Sequence, residues 1–434
     1  MQPNGAGTNG PTGLPPVQLP TTRHMVQMFV VPLLIVVIAL GIFAGVVWLV
    51  GGSRTPDEFL RHLESDNPDV RWRAANDLAQ VLKRDDTLAS DARFVLRLTE
   101  LLRRTVRDCE RLEHAPAGEG FGPGDSPPAR AKALENSRKL VIFLSACLGN
   151  SAVPVGAPLL CEVARESTAA DPAIAARERA RAIWALANLA DSLRRFDNLR
   201  PERQQVVLAE LEGQAGQAGE SGAWARQALD ALRERVRGQP RTLGVEETLR
   251  QCASDPNPFL RLLAGQALTL WQGTADENQR IDQALFALTR DAGQGDQLMA
   301  PLAAMDEDRD ERRAEGISRR PGAGIRYQAA AGLALRGSPL VDDTVLTLLD
   351  EMLDEEELRR TFFIKSANGS ETPDEATIYL TMDYALRAIA ELHRRRPTLD
   401  LARLKPAVES LTSHANPALR AAAQRTQLTL GGQP

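Results

Sequence analysis

Asp306-x-Asp308-x-Asp310 alternates carboxylates as the opening of a calcium-binding EF-hand loop does. The sixth position is Glu311, where the loop's sharp turn needs glycine, and the twelfth is Ile317, where a bidentate Glu closes the shell. The stretch therefore reads as a charged helix or loop. Cys109, Cys147, Cys161 and Cys252 contain no CxxC pair, which argues against a zinc site or a thioredoxin-like couple. They read as small core residues; their even number leaves disulfides open should the domain face an oxidising compartment. The five histidines, His24, His62, His114, His393 and His414, show no pairing at metal-ligand spacing. P-loop, G-x-S-x-G, S-x-x-K and H-E-x-x-H signatures are all absent. No cofactor, metal or catalytic residue is expected, and the chain is not expected to be an enzyme.

Two local patterns have a plain and a functional reading. His393-Arg394-Arg395-Arg396 is a basic helix end that complements the helix dipole; the functional alternative is a patch for anionic lipid or nucleic acid. Asn368-Gly369-Ser370 has the form of a glycosylation triplet and reads more simply as a turn.

The elements that would position any site come from repetition. Asn-Pro-x-(Val/Leu)-Arg occurs as Asn67–Arg71, Asn257–Arg261 and Asn416–Arg420, each opening an Ala- and Leu-rich helical stretch. Asn is a helix N-cap, because its side chain accepts a free N–H of the first turn. Pro follows at N1, where its missing N–H costs nothing and its φ suits a helix. Val70, Ala74, Leu78 and Val81 then share one face, and Leu260, Ala264 and Leu268 repeat the register. Ile325, Ala329 and Leu333 do so after Gly322-Ala323-Gly324, with Arg326 in the Arg position. Asp171-Pro172-Ala173-Ile174 opens a further helix that lacks the Arg, while Trp224 to Leu232 and Tyr384 to Leu392 read as second helices with worn motifs. Alanine at the first buried step lets neighbouring helices approach closely. Only 4% of residues are aromatic, and strand-forming stretches are nearly absent beyond the N-terminal segment, so the composition is all-helical.

These residues resemble HEAT repeats, the helix-turn-helix family whose second helix opens on an Asp/Asn-Pro-x-Val-Arg turn. The resemblance implies an all-α, right-handed, armadillo-like α-solenoid over about residues 55–432, with four clear repeats and roughly four more from periodicity. It also implies that the motif arginines, Arg71, Arg261, Arg326 and Arg420, form a ladder by reaching acidic or polar side chains of neighbouring repeats. HEAT-type units run about 40–47 residues, so motif positions at 70, 260, 325 and 419 require insertions. Composition places these near 113–128, 213–222, 292–323 and 354–374, and each is expected to be a disordered loop or a recognition element, with disorder preferred.

The N-terminus has its own organisation. Residues 1–25 read as a disordered tail, and 26–52 as one retained transmembrane helix before the solenoid of 53–434. Phe29 to Val50 is an unbroken apolar run of 22 residues. At ~1.5 Å per residue it is long enough to cross a hydrocarbon core of ~30 Å, and too long for a signal-peptide core. Gly41 and Gly45 make a G-x-x-x-G step through which two anchors could pair as a homodimer. Arg23 on one flank against Arg54 and Arg61 on the other leans the solenoid towards the cytoplasmic side.

Net charge is −5, and Arg23 is the only charge in residues 1–50, so the solenoid region is mildly acidic. Nucleic acid is therefore not expected as a partner, because phosphate binding needs a clustered basic surface. The expected function is that of a single-pass, membrane-tethered scaffold for protein–protein interaction. The rival expectation is an enzyme or enzyme subunit: some HEAT-like proteins resemble bilin lyases, and others act on damaged DNA bases. The acidic body opposes the DNA version, and only scattered Cys and His are available to a lyase.

Overall fold

A computed structural model describes residues 33–38, 40–41, 55–114, 127–293, 315–318, 322–365 and 369–431. The chain forms two units, Met1–Glu58 and Phe59–Pro434. In the first, residues 33–38 and 40–41 are helical with exposed side chains. The expected tail, Gly45 and most of the apolar run lie outside the described residues. Among those described, no helix is long and apolar enough to cross a membrane.

The second unit is a stack of helical hairpins. Its helices are α1 (Pro56–Leu63), α2 (Pro68–Leu82), α3 (Asp86–Ala89), α4 (Ala92–His114), α5 (Pro127–Gly149), α6 (Ala157–Arg165), α7 (Pro172–Asp197), α8 (Pro201–Ala215), α9 (Glu220–Val236), α10 (Val245–Cys252) and α11 (Pro258–Leu270). They continue as α12 (Ala275–Leu288), α13 (Ala323–Arg336), α14 (Asp343–Glu351), α15 (Glu355–Thr361), α16 (Glu375–Arg395), α17 (Lys405–Leu411) and α18 (Pro417–Gly431). Helices α2, α5, α7, α11, α13, α16 and α18 pack each on the next in one inner row. The outer partners α4, α6, α10, α12 and α17 each pack on the inner helix that follows them, as α15 does on α16. This is a solenoid of helical repeats, with seven inner helices among the described residues.

The motif does what its residue types dictate. The Asn67 side chain accepts from the Asp69 N–H at 3.0 Å, Asn257 from Phe259 at 2.9 Å, and Asn416 from Ala418 at 2.9 Å. Asp171 does the same for Ala173 at 2.8 Å. The inner row is built on small residues, including Ala74, Ala75, Ala185, Ala264, Ala267, Ala329, Ala330, Ala385 and Ala423, all buried. Two glycines mark its closest approaches. A Cβ on Gly149 would sit 2.6 Å from the Ala185 carbonyl oxygen, and one on Gly332 would sit 2.4 Å from Thr269 Oγ1.

Three sequence expectations are corrected. The stretch around 213–222 is the turn of an inserted helical hairpin, α8–α9, which packs on α4 rather than in the inner row; Trp224 to Leu232 belongs to it. Residues 354–374 hold α15 and two strands rather than a disordered loop. The unit is not purely helical: β1 (Glu315–Ser318) pairs antiparallel with β2 (Phe362–Lys365), which pairs antiparallel with β3 (Glu371–Pro373). Two insertions distant in sequence thus complete one small sheet. The acidic run at residues 306–313 and most of 113–128 and 292–323 lie outside the described residues.

Candidate functional site

Side chains link the inner row at both ends. At the ends where the inner helices begin, the ladder runs through Arg and carboxylate pairs. Arg261 Nε donates to Asp291 Oδ2 at 2.7 Å in the next hairpin, while its Nη1 donates to the Asp255 carbonyl at 2.9 Å. Arg326 Nη1 reaches the Asp291 carbonyl at 3.3 Å. Arg179, one helical turn beyond the position where Asp171-Pro172 lacks its Arg, takes over that role. It donates to Asp255 Oδ2 at 2.5 Å and to the Ala164 carbonyl at 2.9 Å. Residues four apart share a helix face, which is why the substitution works.

The remaining motif arginines differ. Arg420 donates to the His414 carbonyl of its own turn at 2.7 Å, and no carboxylate meets Arg71 among the described residues. The last junction uses His414 instead. Its Nδ1 accepts from the Asn416 N–H, so Nε2 donates to Glu355 at 2.8 Å. Burial raises the Glu355 pKa, but the bonds from His414 and Arg359 outweigh it and hold the carboxyl below its ordinary range.

At the opposite ends, every inner helix or its cap after the first donates a side-chain hydrogen bond to a carbonyl of its predecessor. Asn150 donates to Ala79 at 3.0 Å, Ser192 to Gly149 at 3.0 Å, and Trp271 Nε1 to Leu186 at 2.9 Å. Arg336 donates to Trp271 at 2.5 Å, Arg396 to Ser338 at 2.8 Å, and Thr426 to Leu386 at 3.2 Å. Six junctions use five residue types, so no motif could announce this seam. It fixes the spacing of the row, and at Gly149, Trp271 and Ser338 it gives a partner to a carbonyl at a helix end.

The ladder makes a test. Arg261 and Asp291 are both largely buried, so Arg261→Ala strands the carboxylate and is expected to cost about 3 kcal/mol in urea unfolding. Asp291→Ala should cost a similar amount, and the double variant little more than either, because the pair acts as one unit. Additive losses would remove Arg261 from the ladder.

The thiols are poor nucleophiles. Burial, with the Glu178 carboxylate second, pushes Cys109 up to about 12; burial pushes Cys161 up to about 11 and raises Cys147 and Cys252 as well. All four are buried and unbridged. Among the described residues no group of three or more His, Cys, Asp or Glu could hold a metal ion.

An open groove of about 1100 Å³ lies where α11, α13, α16 and α18 end. Arg194, Arg336, Arg387, Arg394, Arg395 and Arg425 line it, against two carboxylates, Asp282 and Glu391. Arg336 is held by buried Asp282 at 2.6 Å. Glu391 serves both Arg394 and Arg395 at 2.6 Å, and Arg387 pairs with Asp383 at 2.6 Å. Gly337, at φ +64°, lets Arg395 lie across it: a Cβ there would come within 2.7 Å of the arginine's Cβ. His393-Arg394-Arg395-Arg396 is thus part groove and part seam.

Exposed apolar side chains also occur along the row: Trp184 is 38% exposed and Leu380 70% exposed. The half-buried Trp72 stacks with Phe143 at 5.9 Å. Leu380, Arg387, Glu391 and Arg394 fall on one face of α16 by their spacing.

No protein-family model and no curated protein matches the chain. Among solved structures it is similar to a designed armadillo repeat protein, at 14% identity and a TM-score of 0.32, over 87% of this chain and 99% of that one. It is also similar to an engineered protein of the Northeast Structural Genomics Consortium, at 14% identity and a TM-score of 0.31, over 86% of this chain and 96% of that one. The repeat architecture rests on the helix contacts described above.

Proposed function

We propose that the chain is a membrane-tethered, HEAT-type scaffold that holds a protein or peptide partner on the exposed face of its inner helix row. The observation that carries this reading is the row itself. Seven helices are joined in sequence by a side-chain seam at every junction and by ion pairs at several, and their exposed faces offer large apolar and Arg side chains. Trp, large aliphatic and Arg side chains on a rigid frame are the usual anchors of protein interfaces. The buried, raised thiols support binding rather than covalent catalysis. The apolar run Phe29 to Val50 supports a single-pass anchor, with Gly41 and Gly45 as its pairing step and the solenoid on the cytoplasmic side.

Cross-linking in intact membranes tests the reading. The expected result is retention of the chain in the membrane after alkaline extraction, and a discrete adduct of the solenoid with another protein. In sealed inside-out vesicles, added protease should degrade the solenoid. Release by alkali would remove the anchor, and absence of any adduct would count against the scaffold.

A further inference from the structure

We infer that the Arg-lined groove at the ends of α11, α13, α16 and α18 is a binding site for an extended, Asp/Glu-rich segment of a partner protein. This rests on the scaffold reading and names the site and the chemistry of its ligand. The charge balance is local: six arginines and two carboxylates line a groove in a chain whose net charge is −5. Arg394 and Arg395 share one carboxylate, Glu391. Arg425 is exposed and donates to a carbonyl of its own helix, Ala421, at 3.3 Å. The Arg387–Asp383 and Arg394–Glu391 pairs are exposed on the arginine side, where such pairs contribute little and exchange readily for an incoming carboxylate. Guanidinium groups suit carboxylates because their planar forks donate two parallel hydrogen bonds.

Helix C-termini present partial negative charge, and at two of the four ends beneath the groove an arginine meets it: Arg336 covers Trp271 O after α11, and Arg396 covers Ser338 O after α13. Thr429 lines the groove with its hydroxyl proton already donated to the Arg425 carbonyl at 3.0 Å, and its oxygen keeps lone pairs that accept a peptide N–H. The lining holds no Phe, Tyr or Trp. A single-stranded nucleic acid would find no ring on which to stack, which favours a polypeptide over the other polyanion.

Fluorescence anisotropy on the detergent-solubilised full chain tests the inference with three labelled probes: oligo-glutamate, oligo-lysine of the same length, and oligothymidine. Oligo-glutamate is expected to bind, to weaken with salt, and to lose about tenfold or more in affinity in Arg394→Glu/Arg425→Glu. The charge-matched control Arg93→Glu/Arg97→Glu, on exposed positions of α4 outside the groove, should bind as the native chain does. Circular dichroism checks that both variants remain folded. Absence of oligo-glutamate binding, equal weakening by the control pair, or tighter binding of oligothymidine would each overturn the inference. If oligo-glutamate fails while a membrane cross-linked partner survives the Arg394→Glu/Arg425→Glu change, the groove reading falls and the scaffold reading stands. If the anisotropy and the membrane cross-linking both fail, both readings fall.

Discussion

Replacing Arg138 with leucine is expected to cost about 3–5 kcal/mol, among the largest losses any single side chain here should give. Arg138 is 7% exposed and donates to Glu178 and to Glu113, each at 2.6 Å. Glu178 is itself buried and also accepts from Ser167. Glu113 also accepts from the Ala170 N–H at 3.0 Å. One guanidinium thus ties the end of α4, the middle of α5, the loop before α7 and α7 itself. Removing it leaves the buried Glu178 carboxylate without its cation and the partly exposed Glu113 without its ion-pair partner.

The pH dependence fixes the sign. Burial raises the Glu113 pKa, but the hydrogen bonds from Arg138 and Ala170 prevail and the folded value lies below the ordinary one. Its contribution is therefore present in full above the ordinary Glu range, near ~4.3, and is lost as pH falls through the depressed value. In Arg138→Leu, Glu113 loses that support and binds protons more readily. The deficit against the native chain should be largest near about pH 7 and shrink on acidification. Replacing Arg138 and Glu178 together by methionine should cost less than Arg138→Leu alone. Urea unfolding of all three chains at about pH 7 and about pH 4 measures this; a pH-independent deficit would show that packing, not charge, is what Arg138 supplies.

Gly149→Val is expected to cost about 3 kcal/mol or more, or to prevent folding. Its Cβ would fall 2.6 Å from Ala185 O and 2.8 Å from Ala185 Cα, both backbone atoms of α7. Neither can yield unless α7 moves as a body, and α7 is held to α5 by Ser192 donating to Gly149 O. Gly213, inside α8 with nothing within 4 Å of a built Cβ, is the counter-case. Gly213→Ala should stabilise by up to about 1 kcal/mol, because alanine is the better helix former. Opposite signs in thermal unfolding at two helical glycines would show that helix contact, not propensity, sets the cost at Gly149.

Much of the repeat was legible because its signals are local. Asn67, Asn257 and Asn416 cap the helices they precede, and the aliphatic residues after them are mostly core; Val70, at 37% exposed, is the exception. What stayed hidden depends on contacts between distant residues. The helices of 201–236 carry the same Ala and Leu pattern as the repeats, so sequence could not tell an inserted hairpin from a row member. β2 contains Phe362, Phe363 and Ile364, good strand formers, but its partner β1 lies in a different insertion. The ladder at α7 moved one turn, from the motif position to Arg179. The groove was half visible in His393-Arg394-Arg395-Arg396; Arg194, Arg336 and Arg425 reach it from three other helices.

The central claim is that a partner sits on the inner row, and site-resolved photo-cross-linking tests it most directly. A benzophenone amino acid would replace Trp184, Leu380 or Arg394 on the inner row, and Arg97 or Glu247 at exposed outer positions, one site at a time in intact membranes. The account predicts a discrete adduct of one recurring mass from the inner positions and none from the outer ones. Adducts confined to the outer positions, or equally frequent at both, would contradict it.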